Sequence, residues 1–190
     1  VTRVEDLLDE AVASSGGLEV GRLTVDGYRT VYFYVPFEKT KAEAIIDSVT
    51  AQANYSLQYI LEQDEAKDRY WQELYPTADD WQVIRDMRVL EQLRDNGDAT
   101  GVKREVSHWA YFPGQSQAQQ FAAWANVNFY KVNSIQVIDD KQHKKVVVRF
   151  DHEGTMELAD ITHHTIAIAR KVRELDGDYD GWETRVIPRR

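Results

Sequence analysis

The chain contains no cysteine. That excludes a disulfide framework, a cysteine-ligated zinc ribbon and thiol catalysis, and it suits a reducing compartment, so the expected location is the cytoplasm. It also lacks any apolar run approaching the ~20 residues that a membrane-crossing helix needs. Short signatures of common chemistries are missing too: there is no GxSxG nucleophile elbow, no P-loop and no GxGxxG turn. Basic charge is scarce. Against 32 Asp and Glu stand 23 Lys and Arg, a formal net charge of −9. Residues 1–104 hold 20 of the acids but 12 of the bases, so the deficit lies almost wholly in the first half. Affinity for a phosphate backbone comes mainly from Lys and Arg displacing counterions. This balance therefore argues against direct nucleic-acid binding and favours a basic protein partner.

What is present suffices for one large or two small packed domains: 190 residues, 43% hydrophobic and 29% charged. Val4, Leu7, Leu8 and Ala11 share one helical face, ended by Ser14 to Gly17. Leu18 to Val25 and Tyr28 to Val35 are strand-like and flank Asp26-Gly27, a pair that tolerates positive φ and matches strand twist in a hairpin. Pro36 stops the second strand. Thr40 with Glu43 three residues on predicts a capping box ahead of Ile45, Ile46, Val49 and Ala53. Alternation of Leu57, Tyr59 and Leu61 predicts a third strand. The result is a βαββαβ unit without its first strand. Because the chain opens on Val and not Met, that strand is expected before Val1, the alternative being a three-stranded sheet of its own kind.

A charged run follows from Glu62 to Glu73, broken by Tyr70-Trp71. Thr77 is placed to cap a helix with Asp80, and Trp81, Ile84, Met87 and Leu90 give that helix an apolar stripe. Asp95 to Lys103, with two glycines, is the best linker candidate. Beyond it, Val106 to Phe112 predicts a strand broken by Pro113-Gly114. Ser116 and Gln119 predict a cap, with Phe121, Ala122, Ala125 and Phe129 as the buried helix face. Lys131 to Ile138 and Lys145 to Phe150 are strands joined by a polar loop, Asp139 to Lys144. Leu158, Ile161, Thr165, Ile168, Val172 and Leu175 mark a long helix, and Asp176-Gly177 leads to a last strand in which Gly181 allows a bulge. Strand, helix, strand, strand, helix, strand is the split βαβ arrangement called ferredoxin-like. The expected class is α+β: two ferredoxin-like (βαββαβ) domains in tandem, the first lacking its first strand. They are expected at 1–62 and 105–190, joined by a helical connector and linker at 63–104.

Candidate chemistry is thin. Of the histidines His108, His143, His152, His163 and His164, the adjacent last two point about 100° apart on a helix and cannot clamp one metal. Asp139, Asp140, Asp151 and Glu153 read as turn acids serving backbone and solvent. No catalytic residue, metal site or cofactor is expected. Aromatics are the excess: Tyr28, Tyr32 and Tyr34 form a stripe on one face of their strand. Aromatics on an open sheet of this topology can stack RNA bases. The charge argument instead favours a covered stripe, with His108-Trp109 and Trp182 read as packing residues. The binding candidates are the acids Glu62, Asp64, Glu65, Asp68, Glu73, Asp79 and Asp80, together with Tyr32 and Tyr34.

The residues Tyr179-Asp180-Gly181-Trp182-Glu183-Thr184, with the preceding helix and His108-Trp109-Ala110-Tyr111-Phe112, resemble the type B regulators of ribonuclease E activity. Tyr32-Phe33-Tyr34, Asp68-Arg69-Tyr70-Trp71, Leu74-Tyr75-Pro76-Thr77 and Val89-Leu90 resemble the end of domain of unknown function 695, found upstream in longer relatives. The resemblance implies a ferredoxin-like fold and, for the short bacterial members, a non-catalytic protein that binds the endoribonuclease and restrains RNA decay. On the charge argument, the acidic face is expected to meet a basic segment of such a partner. It brings no catalytic residue, metal or cofactor. This chain departs from the short regulators in lacking their acidic tail, ending in Ile187-Pro188-Arg189-Arg190. An RNA-binding module and an uncharacterised enzyme are the alternatives; the oligomeric state is left open.

Overall fold

A computed structural model describes the backbone of residues 2–140 and 143–189. It describes their side chains except at positions 2, 139, 140, 143 and 144. The expected Asp139–Lys144 loop is shorter than that: the strands continue pairing through Asp139, Asp140, His143 and Lys144. Only residues 141–142 of it, with the side chains of Asp139, Asp140, His143 and Lys144, lie outside the described residues, as does Arg190. The chain is α+β and forms two compact units, Val1–Tyr75 and Pro76–Arg190.

In the first unit, α1 (Thr2–Ser14) leads through Gly16 (φ +86°) into the hairpin β1 (Leu18–Val25) and β2 (Tyr28–Tyr34). Asp26 and Gly27 both take positive φ, 50° and 80°, as the two-residue turn requires. A bulge between Glu19 and Gly21 bends β1. α2 (Lys39–Ala53) packs on α1 and ends at Asn54 in the left-handed region. Val4, Val12, Ala42 and Val49 are the buried apolar residues described for this unit.

Two local expectations fail here. α2 starts one residue before Thr40, with Glu38 at the cap position and no side-chain cap, so the Thr40–Glu43 box does not form. Leu57 to Leu61 has no strand geometry, and Ile60 is 89% exposed. Alternation permits a strand, but a strand exists only where a neighbour takes its hydrogen bonds. β1 and β2 pair only with each other among the described residues. The segment is tethered instead by the Tyr59 hydroxyl, which donates to Glu43 Oε1 (3.1 Å). A single π-type turn, Tyr70–Leu74, closes the unit.

The second unit opens with α3 (Ala78–Asp95). Here the Thr77–Asp80 capping box forms as expected. Then come β3 (Arg104–Phe112), α4 (Gln115–Val127), β4 (Lys131–Asp140), β5 (His143–Gly154), α5 (Leu158–Glu174) and β6 (Asp178–Glu183). The strands form one antiparallel sheet in the order β4-β5-β3-β6, the split βαβ topology. Even-numbered β3 residues Val106, His108, Ala110 and Phe112 face the helices and are buried, as pleat alternation dictates. Ala110 and Phe112 join Phe121, Val148, Phe150 and Ile168 in the main core cluster, and Val106 lies in a second one with Ile161 and Trp182; each large apolar side chain contributes roughly 1.5–3 kcal/mol by leaving water.

Several details differ from expectation. Phe129 is 94% exposed in left-handed backbone past the end of α4, and Ala118 and Tyr130 fill the core in its place. α4 is capped by Gly114, with no Ser116 box. The buried face of α3 carries Gln82, Asp86, Leu90 and Leu93, while Trp81 and Met87 are exposed, so the apolar stripe is rotated from the expected one.

The expected division at 1–62, 63–104 and 105–190 also differs from the two units. α3 is no connector, because it packs on α5. Residues 97–104 are no loose linker either. Asp98 and Arg104 form a fully buried ion pair (2.5 Å), and Asp98 accepts from the Ile187 N–H (2.7 Å). Arg104 donates to the Arg185 and Ala99 carbonyls, so the loop is stitched to residues 185–189.

Candidate functional site

In the first unit the inner tyrosines of β2 lie against the acidic segment. The Tyr34 hydroxyl donates to Asp64 Oδ2 (2.7 Å) and accepts from the Tyr70 N–H, and the Tyr32 hydroxyl donates to Glu73 Oε2 (2.8 Å). Leu74 sits over Gly21, the residue opposite Tyr32, where a Cβ would lie 3.1 Å from its methyl. The stripe is thus covered in part by the unit's own π-type turn, while Tyr28 at its end is exposed.

Asp64 also accepts from the Asp68 and Arg69 N–H groups (2.7 and 3.1 Å). The Tyr34 bond, reinforced by these N–H groups, holds the Asp64 carboxyl below its ordinary range, and Tyr32 followed by Arg69 does the same for Glu73. Arg69 bridges Glu62 (2.5 Å) and Glu73. Glu65 accepts from Gln63 (2.8 Å). Glu62, Asp64, Glu65, Asp68 and Glu73 outnumber Lys67 and Arg69 in this stretch, which leaves a net negative surface. Asp79 and Asp80 lie in the second unit and are occupied there. Asp80 closes the α3 cap and Asp79 binds Arg170 (2.5 Å).

The second unit holds two buried polar nodes that sequence reading missed. Asp86, fully buried, accepts from Gln82 Nε2 (3.0 Å), Trp182 Nε1 (2.8 Å) and Thr165 Oγ1 (2.5 Å). Burial raises its carboxyl pKa despite three donors that oppose the shift. The node joins α3, α5 and β6 through the tryptophan of the Tyr-Asp-Gly-Trp motif. A polar residue in step with Leu90 and Leu93 was its one sequence signal.

The second node is a chain of rings. Tyr179 hydroxyl contacts His108 Nδ1 (2.7 Å), and His108 Nε2 contacts His152 Nδ1 (2.7 Å). The His152 ring centre lies 3.9 Å from that of His164, the rings tilted by 31°, and His164 Nδ1 contacts the Tyr130 hydroxyl (2.9 Å). Burial drives the His108 pKa well below the ordinary value and lowers that of His152 to about 4. These histidines are 44 and 12 residues apart, and only the β3–β5 register and the start of α5 bring them together. No spacing rule would have found them.

Between α3 and β6 runs a shallow groove formed by two adjoining depressions of about 330 and 210 Å³. Val89 and Trp182 are common to both; Leu93 extends the floor, and Arg85 stands at one end with Asn96 at the other. Gly181 lies on its rim with φ +135°, at the expected bulge in the β3–β6 register.

Among the described residues no three His, Asp or Glu are grouped to hold a metal ion, and no helix is long and apolar enough to cross a membrane. Most buried polar groups bond one another, with Asp98 Oδ2, Asp151 Oδ1 and His152 Nε2 left without a partner among the described residues; the depressions are shallow, and the acids of residues 62–73 are mostly exposed. Fold and surface together define a class: an α+β scaffold with an acidic surface stretch and shallow depressions. The chain belongs to the regulator of ribonuclease activity B family, whose model matches residues 84–184. Residues 1–75 match a family of unknown function, DUF695. No curated protein matches the chain significantly.

Proposed function

We propose that this protein is a non-catalytic cytoplasmic regulator that binds a ribonuclease and thereby tempers RNA decay. The family match over residues 84–184 carries the reading. The acidic surface at Glu62, Asp64, Glu65, Asp68 and Glu73 supports a basic segment as the part of the partner it meets. Arg69 offsets only part of that charge, and Tyr32 and Tyr34 hold Glu73 and Asp64 in place. Opposed surface potentials steer encounter and choose partners, while apolar contacts carry most of the affinity. The same carboxylates would stand beside the phosphates of any RNA laid on the tyrosine face, which weighs against that alternative. The test is a titration of labelled chain with a purified family-type endoribonuclease at rising salt. Saturable binding that weakens as salt rises fits the acidic-surface mechanism; binding indifferent to salt rejects it.

A further inference from the structure

Among the described residues β6 pairs with β3 alone, so it is an edge strand. Such an edge presents a row of backbone N–H and C=O groups to any extended chain that comes alongside. Asp178 to Glu183 has neither Lys nor Pro; its three acids and its bulge guard the edge against a like strand but leave it attractive to a basic one. Its bulge residue Gly181 has nothing within 4 Å of where a Cβ would stand, so a second backbone meets no side chain there. Beside the edge lies the groove floored by Val89, Leu93 and Trp182, ready to take alternate side chains of an added strand. Alternation with the buried Tyr179 and Trp182 turns Asp178 and Glu183 outward, and Asp180 is exposed too; Asp180 and Glu183 also border the groove. Alternation in an added strand therefore sets its apolar residues over the groove and its other residues against carboxylates. A second copy of β6 would bring acid against acid, so the charge selects a basic partner.

We infer that the β6 edge and the α3 groove together receive an extended protein segment in which basic residues alternate with apolar ones, added as a fifth strand. A six-residue β6 accommodates a segment of roughly 20 Å. The inference rests on the protein-binding role proposed above and adds where and how the partner is gripped. Arg85 at one end of the groove sets polarity, favouring an acidic or neutral residue at that end of the incoming strand.

The probe is a synthetic peptide of about eight alternating lysines and valines, long enough to cover β6, titrated against the full chain by fluorescence anisotropy. Two control peptides are needed: one of the same composition with lysines and valines in separate blocks, and one N-methylated at alternate residues so that it cannot donate to the edge. Binding of the alternating peptide about tenfold tighter than either control supports the strand-addition mode, as does slowed amide exchange confined to β6. Equal affinity for all three overturns it. Asp178→Lys with Glu183→Lys, both exposed and checked for fold by circular dichroism, weakens the alternating peptide by about tenfold or more if the site is right. A ribonuclease bound undiminished by that variant overturns this site and leaves the regulator reading standing. A chain that binds neither peptide nor ribonuclease overturns both.

Discussion

Asp86 gives the sharpest test of how the second unit is held. Its two oxygens accept from Gln82, Trp182 and Thr165 in a site with no solvent exposure. Asp86→Ala removes every acceptor at once. Thr165 can turn its hydroxyl to the carbonyl one helical turn back, but the indole and amide N–H groups are stranded. Each stranded buried donor costs about 1–3 kcal/mol, so the loss is about 4 kcal/mol, a large share of the roughly 5–15 kcal/mol that holds a domain together. Asp86→Asn is expected to behave differently. Its single oxygen keeps Trp182 and Gln82, its amide donates to a reversed Thr165 hydroxyl, and the cost of a desolvated charge disappears. The change should stay within about 1 kcal/mol of neutral.

Acidification adds a signature. The folded-state carboxyl pKa is raised, so the folded state takes up a proton before the unfolded one. This group's contribution to stability therefore grows as pH falls through its folded value. Asparagine lacks that gain, so it compares best with the parent at neutral pH. Urea unfolding followed by far-UV circular dichroism reads all of this; five tryptophans make fluorescence composite. An alanine variant within about 1 kcal/mol of the parent, or an asparagine variant as damaged as alanine, would refute the reasoning.

Other consequences are equally direct. The histidine node opposes the Asp86 effect: His152 is held at about 4 against an ordinary 6.5, so the unfolded state binds the proton first and stability falls as pH drops from about 6.5 toward 4. The full loss is about 3 kcal/mol, and His152→Phe should flatten that limb of a stability-versus-pH curve; an unchanged limb would assign it elsewhere. His108, His164, Asp160 and Asp151 share its surroundings, so only the difference between parent and variant is diagnostic. Arg104→Met leaves Asp98 buried without its cation and should cost about 3–5 kcal/mol, with residues 97–103 becoming cleavable in limited proteolysis. Gly177→Ala places a methyl 2.7 Å from Phe112 and 2.9 Å from the Tyr111 carbonyl. It should destabilise by at least about 1–3 kcal/mol, read as a lowered melting temperature.

The elements of the second unit were legible because strand alternation and helical periodicity are written locally. Asp26-Gly27 and the Thr77–Asp80 box were legible for the same reason, since each acts within four residues. Leu57 to Leu61 misled because alternation states a preference, whereas a strand needs a partner that sequence cannot supply. Asp98 misled in the opposite direction, since its stretch reads as a linker, while Asp86 and Arg104 gave little sign of a buried role. All three stand in the interior, held by groups up to 96 positions away. The acidic run was visible as composition. That Arg69 sits between Glu62 and Glu73, and that Tyr32 and Tyr34 bond the acids beside them, required coordinates.

As the regulator proposed above, this chain is expected to act on a ribonuclease by binding it. The most direct measurement is the cleavage rate of a short single-stranded RNA by a purified family-type endoribonuclease as the chain is added, with complex formation followed in parallel by size-exclusion chromatography. The expected result is a rate that falls saturably as the complex appears, with no RNA turnover by the chain alone. An unchanged rate with no complex, or cleavage by the chain itself, would contradict it.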